Sequence, residues 1–129
     1  MLNDSLSNAL SVVLNADKVG KQECIIKPTS KVIKEVLTIM HENRYIGEIK
    51  ETIDSRGNYL KINLLSNINK CGSIKPRFAV QKNDFEKFEK RYLPAKEMGV
   101  IILSTPKGIV TLQEARKKGV GGRLLAYCY

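Results

Sequence analysis

The chain has 129 residues, 43% of them apolar, with 22 lysines and arginines against 13 acids and a formal net charge of +9. That length suits one ordinary domain or two small halves, and the apolar content excludes a disordered basic tail. The cationic excess favours a polyanionic partner, most simply nucleic acid.

Cys24, Cys71 and Cys128 are far apart, odd in number and form no CxxC pair. This argues against a disulfide framework and a zinc site, and for thiols held in a reducing compartment. The opening stretch has no basic residues ahead of its apolar ones, and no run approaches eighteen apolar positions. The expectation is therefore no signal peptide, no membrane span, and a cytosolic or nuclear location.

Asp4 or Ser5 is placed to cap a first helix running to about Ala16, because Leu6, Leu10, Val13 and Leu14 fall on one face. Glu23 to Lys27 reads as a short strand ended by Pro28. Thr29 or Ser30 then caps a second helix, with Ile33, Val36, Leu37 and Met40 on its apolar face, stopping near Asn43. Tyr45 to Ile53 and Tyr59 to Leu65 are β-rich, joined by a hairpin loop in which Asp54, Gly57 and Asn58 suit the turn. The first half thus reads αβαββ.

The segment 66–78, SNINKCGSIKPRF, is turn-rich and carries Lys70, Lys75 and Arg77 with no acid, which marks a crossover between halves. Arg77 to Val80 forms a candidate strand, and Asp84 caps a helix holding Phe85, Phe88 and Tyr92. Strand Val100 to Leu103, the turn Ser104-Thr105-Pro106-Lys107-Gly108, strand Ile109 to Thr111, helix Leu112 to Lys118 and strand Leu124 to Tyr129 complete the chain. The fold class is α+β, with an N-terminal α/β subdomain over 1–66 and a mostly β subdomain over 67–129 that includes the crossover.

No enzyme chemistry is evident. Ser104 lacks a base other than His41, the only histidine, which lies on a helix beside Glu42. No compact carboxylate cluster offers a metal site. Gly119, Gly121 and Gly122 follow a helix instead of preceding one, and no phosphate-loop spacing occurs, so a helix cap and turn is the better local reading. The 104–108 turn offers two hydroxyls, a cation and a glycine that permits close approach. That set suits sugar, phosphate and base-edge contacts, although the same residues would also make an ordinary hairpin. Few aromatics and no tryptophan leave no stacking platform, which favours a structured RNA over a single strand.

Four blocks carry a resemblance: Asn15-Ala16 closing the first helix, Pro28 to Lys31 (PTSK), NKCGSIKPRF at 69–78, and GVIILSTPKGIVTLQEARKKGVGGRLL at 99–125. Together the chain resembles the universal small-subunit ribosomal protein number eight over essentially its whole length. The NKCG and PRF pieces favour the archaeal and eukaryotic cytosolic form. The resemblance implies a two-subdomain fold, no enzymatic activity and no cofactor. It also implies a structural role in the small ribosomal subunit, binding a helix in the central domain of its rRNA and supporting assembly.

Neighbouring small-subunit ribosomal proteins are the further partners implied, with no membrane and no small-molecule substrate. The location implied is the cytosolic ribosome, with a nucleolar stage in a eukaryote. The alternative is a free translational repressor acting on a messenger hairpin. The rRNA-contacting residues expected with this resemblance are Ser104, Thr105, Lys107, Gly108, Lys27, Thr29, Ser30, Lys31, Lys70, Arg77, Gly121 and Gly122, joined by Arg123, which stands where bacterial relatives carry an acid and offers a phosphate contact instead. Pro106 stands where the family's loop has a second serine. Val12 and Leu14 stand where bacterial forms carry arginine.

Overall fold

The computed structural model describes residues 5–27, 31–55, 57–74, 79–94 and 98–129. The chain divides after Lys70 into units spanning 1–70 and 71–129. The first contains α1 (Ser5–Lys18), β1 (Glu23–Ile26), α2 (Lys31–Glu42), β2 (Ile46–Asp54) and β3 (Gly57–Leu64). Its antiparallel sheet has the order β1-β3-β2. Leu6, Leu10 and Val13 of α1 are buried, as are Ile33, Val36, Leu37 and Met40 of α2, so the helical spacing read from sequence selects the core faces.

The β2–β3 hairpin is tighter than the sequence suggests. Asp54 pairs with Gly57 and Ile53 with Asn58, so Gly57 and Asn58 belong to β3 and not to the loop. The segment after β3 stays with the first unit: the Ser66 N–H donates to the buried carboxylate of Asp17 (3.0 Å) and Asn67 Nδ2 donates to the Arg44 carbonyl (2.9 Å). These bonds tie Ser66 and Asn67, on either side of the boundary that the composition marks, to the first unit.

α2 ends with Tyr45 N–H donating to Met40 O and Arg44 N–H to His41 O, both at 3.0 Å. That pattern needs a left-handed residue at Arg44, where φ is 64°. α1 closes by the same pair of bonds around Gly20, the usual residue type for the job.

The second unit contains β4 (Cys71–Ser73), β5 (Ala79–Val80), a 3-10 turn (Lys82–Asp84), α3 (Phe85–Tyr92), β6 (Val100–Thr105), β7 (Gly108–Thr111), α4 (Leu112–Lys118) and β8 (Gly122–Cys128). Its antiparallel sheet has the order β4-β8-β6-β7, with β5 also pairing β8. One sheet face packs Ile101, Leu103, Val110 and Leu124 against Phe85 and Phe88 of α3 and Ala115 of α4.

One expectation is corrected here. Asp84 does not cap α3 with its side chain; its carboxylate turns back to accept the Gln81 N–H (3.3 Å), because the 3-10 turn places it three residues beyond that donor. Cys71 and Cys128, far apart in the sequence, face each other across the β4–β8 ladder.

Candidate RNA interface

α4 begins where Thr111, extended at φ −78° and ψ 161°, accepts the Glu114 N–H on its hydroxyl, and it ends at Gly119, left-handed at φ 67°. Gly121 and Gly122 then lead into β8 along its neighbours. A Cβ on Gly121 would lie 2.4 Å from the Val80 carbonyl oxygen, and one on Gly122 would lie 2.1 Å from that of Ser104. Gly119 is therefore the helix cap. Gly121 and Gly122 are demanded by the close approach of backbone to β5 and β6.

β6 and β7 form a two-residue hairpin in which Thr105 pairs with Gly108, leaving Pro106 and Lys107 at the turn. Ser104 and Thr105 are thus strand residues and not turn residues. Proline fixes φ near −65° and excludes the mirror-image turns, so the reversal is completed by Gly108 at φ +117°. A side chain at Gly108 would meet nothing within 4 Å, so the backbone angle, not space, requires glycine.

Strand alternation then separates the two hydroxyls. Thr105, 8% exposed, donates from Oγ1 to the Gly108 carbonyl (2.7 Å) and accepts the Lys107 N–H (3.2 Å). Ser104 is exposed on the other face.

A bulge decides what lies beside Ser104. Ile102 pairs with Ala126 but Leu103 pairs with Leu124, so Leu125 is the extra residue on β8. Without that shift Leu124 would oppose Ser104; with it, Arg123 does. Directly opposed residues on an antiparallel ladder share a face. Ile109 of β7, Ser104 of β6, Arg123 of β8 and Ala79 of β5 therefore form one row across four strands, and Ser104, Arg123 and Ala79 in it are exposed.

The segment that carries Ser104 and Arg123 is basic. Residues 98–129 hold Lys107, Arg116, Lys117, Lys118 and Arg123 against the single acid Glu114. Arg116 is taken up by Glu89 of α3 in an ion pair. Among the described residues no carboxylate pairs with Lys107, Lys117, Lys118 or Arg123, and all four are exposed. Lys117 and Lys118 do not stand out as site candidates in the sequence. The run Arg116-Lys117-Lys118 immediately before the glycine turn is the signal that could have found them.

The structure brings Ser104, Thr105, Lys107, Gly108, Gly121, Gly122 and Arg123 together at one end of one sheet. Lys27, Lys31 and Lys70 are exposed in the first unit: Lys27 just after β1, Lys31 as the first residue of α2, Lys70 as the last residue before the division. The Lys27 side chain runs past the β2–β3 hairpin, with its Cε 3.6 Å from where a Gly57 Cβ would stand. Thr29, Ser30 and Arg77 lie outside the described residues, as do the capping Asp4 and Pro28.

His41 Nδ1 sits 3.4 Å from the Ile46 carbonyl oxygen. His41 belongs to the first unit and Ser104 to the second. Among the described residues no group of three or more His, Cys, Asp or Glu is arranged to hold a metal, and no helix is long and apolar enough to cross a membrane. The arrangement of an exposed hydroxyl, a neighbouring guanidinium and unpaired lysines suits phosphate and sugar contacts more than bond-making chemistry.

A family model described as Ribosomal protein S8 matches residues 4–129. That family consists of structural, rRNA-binding components of the ribosome and is not an enzyme family. With a mixed α+β fold in two antiparallel sheets and the match spanning nearly every residue, the chain belongs to the ribosomal protein S8 family.

Proposed function

We propose that the protein is a structural constituent of the small ribosomal subunit that binds a helix in the central domain of small-subunit rRNA and supports its assembly. It is of the archaeal and eukaryotic cytosolic type. The sheet end built from β6, β7 and the start of β8 supplies specificity: Ser104 touches a sugar or base edge, while Lys107 and Arg123 hold flanking phosphates. Thr105, Gly108, Gly121 and Gly122 give this end its shape. Lys27, Thr29, Ser30, Lys31, Lys70 and Arg77 add backbone contacts.

The observation that carries this reading is the cross-strand row placing exposed Ser104 directly beside exposed Arg123, next to a turn that presents Lys107. A hydroxyl beside a guanidinium suits recognition of the 2′-OH and phosphate of one RNA strand. The archaeal and eukaryotic assignment rests on NKCG at 69–72 and PRF at 76–78.

Sedimentation with RNA cross-linking tests the proposal. The tagged chain is expected in the small-subunit peak of a gradient, cross-linked to central-domain rRNA. Recovery only in a slow-sedimenting pool, cross-linked to a messenger, would favour the repressor reading instead.

A further inference from the structure

Cys71 begins the second unit and Cys128 is the last residue of its final strand. They are direct partners in the antiparallel β4–β8 ladder, together with Gly72↔Tyr127 and Ser73↔Ala126. The type of pair follows from one bond. The Ile74 N–H donates to the Leu125 carbonyl (2.9 Å), which makes Ile74 and Leu125 a hydrogen-bonded pair in the same register.

Pairs alternate along such a ladder, so Cys71 and Cys128 occupy a non-hydrogen-bonded position. There the Cα atoms approach to about 4.5 Å and the side chains are closest. A separation of about 4.5 Å lies within the roughly 4.4–6.8 Å that a disulfide spans, and both side chains leave the sheet on the same face.

We propose that Cys71 and Cys128 are a modification site: a cross-strand dithiol that peroxide converts to an intramolecular disulfide clasping the two ends of the second unit. The thiols are 5% and 1% exposed, so reaction requires β4 to open. β4 is a three-residue strand at the sheet edge with a glycine at its centre, and such a strand frays readily.

On opening, the Cys71 thiolate attacks one peroxide oxygen. The S–O bond forms, the O–O bond breaks, and the departing hydroxide is protonated to water. The Cys128 sulfur then attacks the Cys71 sulfur; the S–S bond forms, the S–O bond breaks, and a second water leaves. Two thiols lose two electrons and two protons in total, and one peroxide gains them. The bond links residues at either end of the unit and so constrains nearly all of its unfolded chain.

Cys24 supplies an internal control. It lies in β1 of the first unit, and burial pushes its thiol above the usual value, with Lys21 opposing. The full-length protein is treated with hydrogen peroxide at neutral pH below its unfolding temperature, then denatured, alkylated and mapped by mass spectrometry.

The expected result is a monomer with one alkylated cysteine, Cys24, and a Cys71–Cys128 linked peptide that dithiothreitol abolishes. The oxidised protein should unfold at a temperature higher by roughly 5–15 °C. Cys71→Ser and Cys128→Ser should each remove that rise. Three alkylated cysteines after oxidation, a link through Cys24, or only disulfides between chains would overturn the proposal. Because the mapping uses the unaltered protein, it discriminates between these outcomes even if a serine variant fails to fold.

Discussion

A hydroxyl that donates to one carbonyl and accepts one amide has a single acceptor site left. That is the state of Thr105, whereas Ser104 keeps its full capacity for a ligand. Thr105→Val keeps the shape and removes both internal bonds, so it should lower folding stability by about 1–2 kcal/mol in urea titrations. Ser104→Ala should leave stability within about 0.5 kcal/mol. It should still weaken binding to the central-domain helix by about 1 kcal/mol, roughly fivefold in Kd. A stable Thr105→Val protein with a larger binding loss than Ser104→Ala would reverse these roles.

The inward turn of Thr105 was not legible in the sequence, because Ile101, Ile102 and Leu103 form an unbroken apolar run that hides strand parity. Cys24 offers a pH test at the same scale. Burial raises its thiol above the ordinary 9.0, with Lys21 opposing, so the folded chain keeps a proton that the unfolded chain releases first. The contribution is intact below the unfolded value and is lost as pH rises toward the folded one. Between about pH 8 and about pH 10, urea midpoints should fall more steeply for the unaltered protein than for Cys24→Ala; equal slopes would count against a buried thiol.

Helix ends and strand pairs carry the next level. α1 and α4 close around Gly20 and Gly119, while α2 closes around Arg44 in the same left-handed conformation. A non-glycine residue there costs about 1 kcal/mol. Arg44→Gly should therefore raise the thermal midpoint by several degrees, and a lowered midpoint would mean the Arg44 side chain has a stabilising partner.

Gly122→Ala acts oppositely. Its methyl would meet the Ser104 carbonyl, displacing β6 from β8, at a cost of about 1–3 kcal/mol. Since Ser104 moves with that carbonyl, RNA affinity should fall as well. Unchanged chemical shifts at Ser104 would refute the coupling.

α4 was legible to the residue, because a threonine cap, an apolar stripe and a terminal glycine all lie within its own sequence. β4 was not. Cys-Gly-Ser has no alternation and little β preference, and it becomes a strand only because β8 lies alongside. The pairing of Ser104 with Arg123 was hidden for a related reason: it depends on a bulge at Leu125, which no local pattern announces.

At the level of the whole molecule, the +9 charge and the family membership point to RNA as a partner, while the proposed contact surface rests on the register of a single sheet end. Charge alone binds any RNA; in the proposed reading the row beside the β6–β7 turn discriminates. Lys107 and Arg123 should each neutralise one phosphate if this end is the contact surface.

The most direct test is the affinity for the central-domain rRNA helix across a salt series, for the unaltered protein and for a variant carrying Lys107→Ala and Arg123→Ala. With about five to eight phosphates neutralised, log K should fall against log salt with a slope of roughly −4 to −7, and the double variant should be shallower by about 2. An identical slope and affinity for the two proteins would contradict the assignment of this sheet end as the RNA-binding surface.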